Sequence, residues 1–272
     1  MSPQLISITI GFLILALAFT LLERWLGHGK ERPFFRRGYG LDVAYWFFTP
    51  LVTKSLTKLV IYLPAILLIS AGVVSADQLR AGGYHGFGPL SRQPLWLQSV
   101  EIIVLADLLG YASHRLFHGR RWWPFHAVHH SSEDLDWLSS IRVHPVNDLV
   151  NKFAQVVPLV LVGLDPSANV KVAVFFTLYA IFLHANVNWD FGPFRYVIAS
   201  PNFHRWHHSR EPEAMDKNFA GLFPLWDLIF GTFYMPRDRA PQNFGIHGTM
   251  SGSIWGQLIH PFKKSGNGPA VS

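Results

Sequence analysis

An almost unbroken apolar run from Leu5 to Leu22 opens the chain. It approaches the roughly 20 residues needed to cross a hydrocarbon core and predicts a transmembrane helix. No Lys or Arg precedes the run and no Ala-x-Ala-like site follows it, so a cleaved signal peptide fits less well. Residues 41–76 are again apolar, but Pro50, Lys54, Lys58 and Pro64 interrupt them. This predicts one long kinked span or a span joined to an interfacial helix. Residues 76–94, rich in Gly and Pro, read as a loop. Residues 95–118 form the next helix, with Asp107, Tyr111, His114 and His118 on one stripe directed at the protein interior. Two apolar arms, residues 149–164 and 168–187, flank Asp165-Pro166 and predict a helical hairpin whose first arm is short for a full span. Loop-rich sequence follows, and residues 265–272 read as a disordered tail. The fold class expected is all-α, an integral membrane protein of transmembrane hairpins carrying a cytoplasmic, histidine-rich helical cap.

Composition supports the membrane reading. Half the residues are hydrophobic and 15% are charged, against about 25% charged in an ordinary soluble domain. The chain has no cysteine. That excludes disulfides, cysteine-ligated clusters and a thiol nucleophile, and leaves His and oxygen to hold any metal. Arg24, Lys30, Arg32, Arg36 and Arg37 follow the first span and place that loop in the cytoplasm, with the N-terminus outside. Arg115, Arg120 and Arg121, beside Trp122 and Trp123, mark a second cytoplasmic interface. Other tryptophans read as interfacial anchors.

The candidate chemistry lies in the histidines. HRLFH carries His114 and His118, HAVHH carries His126, His129 and His130, and HRWHH carries His204, His207 and His208. On a helix each residue turns by about 100°, so His114 and His118 share a face and can clasp one ion. In His-x-x-His-His the adjacent pair diverges to either side of the first ring, so one motif can reach two metals. Eight imidazoles exceed what one tetrahedral zinc takes and suit a binuclear centre, with iron favoured for redox chemistry. His144, in IRVHP, and His184, closing an apolar run, are candidate additional ligands. His28, His85, His247 and His260 stand singly and read as solvated or hydrogen-bonded residues.

Asp107 lies in an apolar span and is expected to accept a hydrogen bond from a ligand imidazole. Glu133, Asn188, Asp216 and Asn218 are further candidates for orienting rings. A membrane zinc hydrolase or a histidine-rich metal transporter is the alternative class. The first is disfavoured because His-Glu-x-x-His is missing, the second because the boxes sit at helix ends among Arg and Trp rather than along a midplane pathway. The net charge of +6 suits anionic headgroups or an acidic electron-donor protein. Basic residues flank membrane segments and form no separate domain, which argues against nucleic acid.

The three boxes in this order, with DLLGYASHRLFH, HHSSEDLDWLSSIRVHP and DKNFAGLFPLWDLIFGTFY around them, resemble the fatty acid hydroxylase and sterol desaturase superfamily of membrane-bound di-iron oxygenases. The last segment is similar to alkylglycerol mono-oxygenase-like bacterial members. The resemblance covers residues 97–234, the histidine-box core of a single membrane-embedded domain spanning 1–272, with residues 1–94 as its N-terminal transmembrane region. It implies two iron ions held by the eight box histidines, completed by His144 and His184, and no catalytic side chain beyond these ligands. It further implies O2 as co-substrate and hydroxylation, or desaturation, of a lipid C–H bond. The chain shows no Gly-x-Gly-x-x-Gly, no cysteine and no cytochrome-like domain, so a separate ferredoxin, cytochrome or reductase is expected to supply electrons.

Overall fold

A computed structural model describes residues 2–27, 35–80 and 84–263. Lys30, Arg32, His28 and the expected tail at 265–272 lie outside the described residues. Among the described residues the structure is helical, with two isolated bridges, Gly27 to Val187 and Ser209 to Phe244, in place of a sheet.

Helix α1 (Pro3–Leu26) begins at Ser2, whose hydroxyl accepts from the Leu5 N–H, and has Pro at its first position. It is apolar all round and buries no residue completely. Leu13, Ile14 and Leu17 are each at least 60% exposed. A helix this apolar and this exposed belongs in lipid. Its inner side packs Phe12 and Phe19 on Trp46 and Trp137. Helix α2 (Tyr39–Ser70) contains Pro50 and Pro64 and bends by 44° between Thr53 and Leu56, so the interrupted apolar stretch is one bent helix.

Helix α3 (Leu95–Phe117) and helix α6 (Pro166–His184) are, like α1, long and apolar enough to cross a membrane, and bent α2 adds a further such segment. Between them stands α5 (Pro145–Leu161), which packs on both α2 and α3. It places Asn147, Asp148, Asn151, Lys152 and Gln155 at helical spacing on a polar stripe. This is the short hairpin arm expected from the sequence. Asp165 ends the turn into α6 by accepting from the Ser167 N–H at 2.7 Å.

The C-terminal ends of α1, α3 and α6 and the N-terminal ends of α2 and α5 meet at one end of the bundle. There a cap is built from α4 (Trp123–His130), a short turn at Trp137–Ile141 and α7 (Pro201–His207). Glu23 of α1 anchors this junction, accepting from the N–H groups of Trp137 (3.0 Å) and Asn186 (2.9 Å). Buried Asp42 at the start of α2 holds Arg36 (2.7 Å) and Arg142 (2.6 Å). Arg36 also binds Asp136, which caps the 137–141 turn through the Leu138 and Ser139 N–H groups. At the opposite end the loops touch where the Phe87 N–H donates to the Gly163 carbonyl. A Cβ on Gly163, at φ +98°, would lie 2.2 Å from the Phe87 carbonyl oxygen, so only glycine fits this contact.

Candidate metal centre

All eight box histidines and His184 come together in the cap, in two groups. One comprises His114, His118, His126, His130 and His207; the other comprises His129, His184, His204 and His208. Within each group one ring nitrogen per residue lies within 4.8 Å of the others. The adjacent histidines of each motif part company, as helical geometry requires. His129 joins one group and His130 the other, and His208 and His207 divide in the same way. His130 and His208, one from each group, stack with ring centroids 4.3 Å apart, so the groups are contiguous.

Hydrogen bonds on the outer nitrogens decide what the inner ones can do. The His114 Nδ1–H donates to the Phe219 carbonyl at 2.8 Å and the His126 Nδ1–H to Asn147 Oδ1 at 2.8 Å. Each neutral ring therefore carries its proton on Nδ1 and presents Nε2 as a bare lone pair. These two Nε2 atoms face one another at 3.0 Å. In the second group, His129 Nδ1–H donates to the Arg142 carbonyl (3.2 Å) and His184 Nδ1–H to the Ala180 carbonyl (2.7 Å). Their Nε2 atoms oppose at 3.1 Å. Two lone pairs at such a distance repel, and a cation between them turns repulsion into coordination. The buried Nε2 atoms of His118 and His207 have no hydrogen-bond partner at all. His207 is oriented by the Lys217 carbonyl at 2.8 Å.

Burial holds these rings neutral. His126, His129, His130, His204, His207 and His208 are all pushed well below the ordinary histidine range, first by desolvation and then by the neighbouring imidazoles. His118 is lowered too, by burial, and Asp216 partly offsets the shift. Neutral imidazoles at neutral pH are the form a metal binds.

His144 is not brought to either group. Its Nδ1 accepts from the Val146 N–H at 3.1 Å, capping α5, and its Nε2 meets the Leu258 carbonyl at 3.1 Å. Both nitrogens are used for structure, and Pro145 places the ring at a helix start.

The polar candidates for orienting rings divide similarly. Asp216, in the left-handed region at φ 55°, bonds His118 Nδ1 at 3.1 Å. Asp107 touches no imidazole. Its carboxylate accepts from the Leu222 and Phe223 N–H groups, both at 2.8 Å, and from Trp226 Nε1 at 3.0 Å. Asp227 accepts from the Phe219 and Ala220 N–H groups at 2.8 and 2.9 Å. The two carboxylates thus clamp the loop whose Phe219 carbonyl orients His114. Asn218 bonds the Phe203 carbonyl and the backbone of Tyr234 rather than a ring. Glu133 pairs with Arg37 at 2.6 Å, and Asn188 is exposed. The sequence reading missed Asn147. Its signal was a polar residue three positions after His144, on the interior stripe of α5.

Two adjoining cavities of about 320 and 230 Å³ lie between α3, α5 and α6 and end on His184 and His204. The second also reaches His114, His126 and His129. A smaller cleft of about 30 Å³ meets the opposite side of the cluster at His118, His130 and His207.

Residues 99–232 match the family model described as fatty acid hydroxylase. The ornithine lipid hydroxylase of Rhizobium tropici is 29% identical over 67% of this chain and 56% of its own length. Human alkylglycerol monooxygenase is 36% identical over 49% of this chain and 30% of its own. A very-long-chain aldehyde decarbonylase of Oryza sativa subsp. japonica is 29% identical over 57% and 27% respectively. The aligned region thus spans between about a quarter and just over half of these relatives. No solved structure matches the chain. The matched segment contains all nine clustered histidines, from His114 to His208, together with both loop-clamping aspartates, and it is this segment that carries a fatty acid hydroxylase domain.

Proposed function

We propose that this protein is a membrane-bound lipid hydroxylase with two iron ions, one in each histidine group, that uses O2 and electrons from a separate donor protein. The observation that carries the reading is the opposed pair of Nε2 lone pairs in each group, at 3.0 and 3.1 Å. His114, His118, His126, His130 and His207 would hold one ion, and His129, His184, His204 and His208 the other. Bound iron supplies the redox chemistry with O2. One oxygen atom enters a C–H bond of the lipid and the other leaves as water, with two electrons and two protons taken up. Desaturation would use the same inputs and remove a second hydrogen instead.

The chain's own residues orient and shield. Carbonyl and carboxamide acceptors fix the ring tautomers, the cap buries the rings, and the cavities beside α5 and α6 admit substrate from the bilayer side. The names of the relatives, hydroxylase of an ornithine lipid and monooxygenase of alkylglycerols, support a lipid substrate. Arg24, Arg36, Arg37, Arg115, Arg120 and Arg121 stand at the cap end of the spans, which supports a cytoplasmic active site within reach of a soluble donor.

Elemental mass spectrometry of protein purified in mild detergent from iron-replete cells tests the centre. About two irons per chain are expected. His129→Ala and His207→Ala, each striking a different group, are each expected to lower that content, and the double variant to abolish it. One zinc per chain, insensitive to both changes, would overturn the assignment in favour of a hydrolase or transporter.

A further inference from the structure

The larger cavity enters between apolar helices, reaching the outer face of α6 at Ala173 and Thr177, both exposed, yet its inner wall is polar. That wall is the stripe of α5 formed by Asp148, Asn151, Lys152 and Gln155. Polar groups among lipid-facing helices are costly unless they have partners. Two of the four are satisfied, since Asp148 and Lys152 neutralise one another at 2.7 Å. Asn151 is different. Its Oδ1 is buried and has no hydrogen-bond partner.

Gln155 stands one turn deeper on the same stripe. Its amide occupies the space above Gly110 of α3, where a Cβ would lie 2.4 Å from Nε2. The absence of a side chain at position 110 thus makes room for a second carboxamide against the cavity. Both carboxamides also line the adjoining cavity that ends on His114, His126 and His129.

We propose that Asn151 is a specificity-determining residue, and that the lipid it selects carries a neutral hydrogen-bond donor, an amide N–H or a hydroxyl, close along the chain to the carbon that is oxidised. Three observations carry it. An orphaned acceptor needs a donor, which excludes a plain alkyl chain and an ester at this point. The paired charges of Asp148 and Lys152 leave a neutral wall, which disfavours an ionic group here. The stripe and the rings His184 and His204 bound the same cavity, so a lipid held by Asn151 presents nearby carbons to the metal side. The inference rests on the cavity being the substrate path of the proposed hydroxylase.

Binding tests it without turnover. Purified protein in nanodiscs is titrated with radiolabelled N-methylhexadecanamide, which has an N–H, and with methyl hexadecanoate and N,N-dimethylhexadecanamide, which lack one. The wild type is expected to bind the N–H probe at least about tenfold more tightly than either analogue, the scale on which an unpaired buried acceptor is felt. Asn151→Leu is expected to erase that preference while keeping wild-type metal content. Gly110→Ala, which displaces the Gln155 amide, is expected to weaken binding of the N–H probe independently. Equal affinity for the three probes, or a preference that survives Asn151→Leu, would overturn the proposal. A wild type that purifies without iron from iron-replete cells yet shows the preference would fault the proposed oxygenase and leave the binding site standing.

Discussion

Asn147 shows how much of the centre depends on atoms that bind nothing catalytic. Its Oδ1 fixes the His126 proton on Nδ1, and so decides that Nε2 faces inward bare. Replacing it with Leu should leave His126 free to protonate either nitrogen. The expected result is a loss of about ten- to a hundredfold in metal affinity, measured by competition with a chelator, with the other ligands intact. His144 supplies the contrast. His144→Ala should keep the metal content and cost about 1 kcal/mol of stability through loss of the α5 cap, read by thermal unfolding. The box histidines were legible in the sequence because spacing on a helix fixes which rings share a face. Their orienting partners were not, because the Phe219, Lys217, Arg142 and Ala180 carbonyls are backbone atoms that any residue would provide. His144 misled for a related reason, since a histidine before proline in a metal-rich region looks the same whether it caps or ligates.

Among the helices, α3 carries two functions on one stripe, with His114 in the cluster and Asp107 two turns earlier on the loop 219–223. Asp107→Leu would strand the Leu222 and Phe223 N–H groups and the Trp226 indole away from water. The expected cost is about 3 kcal/mol or more, seen as a lowered unfolding temperature, accompanied by weaker metal retention as Phe219 drifts from His114. An Asp107→Asn variant, which keeps an acceptor, should recover part of both. The apolar runs of α1, α3 and α6 were plain in the sequence because lipid demands length and apolarity together. The identity of Asp107's partners was not, since they lie more than a hundred positions away and two of the three are backbone groups. The bend of α2 was foreseeable from its prolines, whereas its being one bent helix depends on packing against α5.

At the level of the molecule, five of the described helices run along the bundle and bring all nine clustered rings together at its end. Six of those rings, His126, His129, His130, His204, His207 and His208, are held well below the ordinary histidine value in the folded state. The unfolded chain, with ordinary values near 6.5, therefore takes up protons that the folded one refuses. Stability is full above about pH 7 and declines as the pH falls below about 6.5. Metal-free protein unfolded by denaturant at pH 7.5 and pH 5.5 should show a clearly lower midpoint at the acid pH. Equal midpoints would mean that the rings are not buried neutral. Metal loading should raise both midpoints and leave the acid one lower, because a coordinated ring, like a buried neutral one, refuses the protons that the unfolded chain takes up.

The two histidine groups have a mechanical consequence. Each collects rings from segments far apart in sequence: the end of α3, α4 and α7 in one, and α4, the end of α6 and α7 in the other. With both groups loaded as proposed, a chain without a single cysteine would carry two cross-links of a different kind, which close long loops as disulfides would. Because α4 and α7 each contribute to both, opening one knot would leave the pair tethered by the other, and only removal of both metals would release the metal-dependent hold on the cap. Limited proteolysis should accordingly leave half-loaded protein nearly as resistant as fully loaded protein, and cut the cap readily only when both sites are stripped.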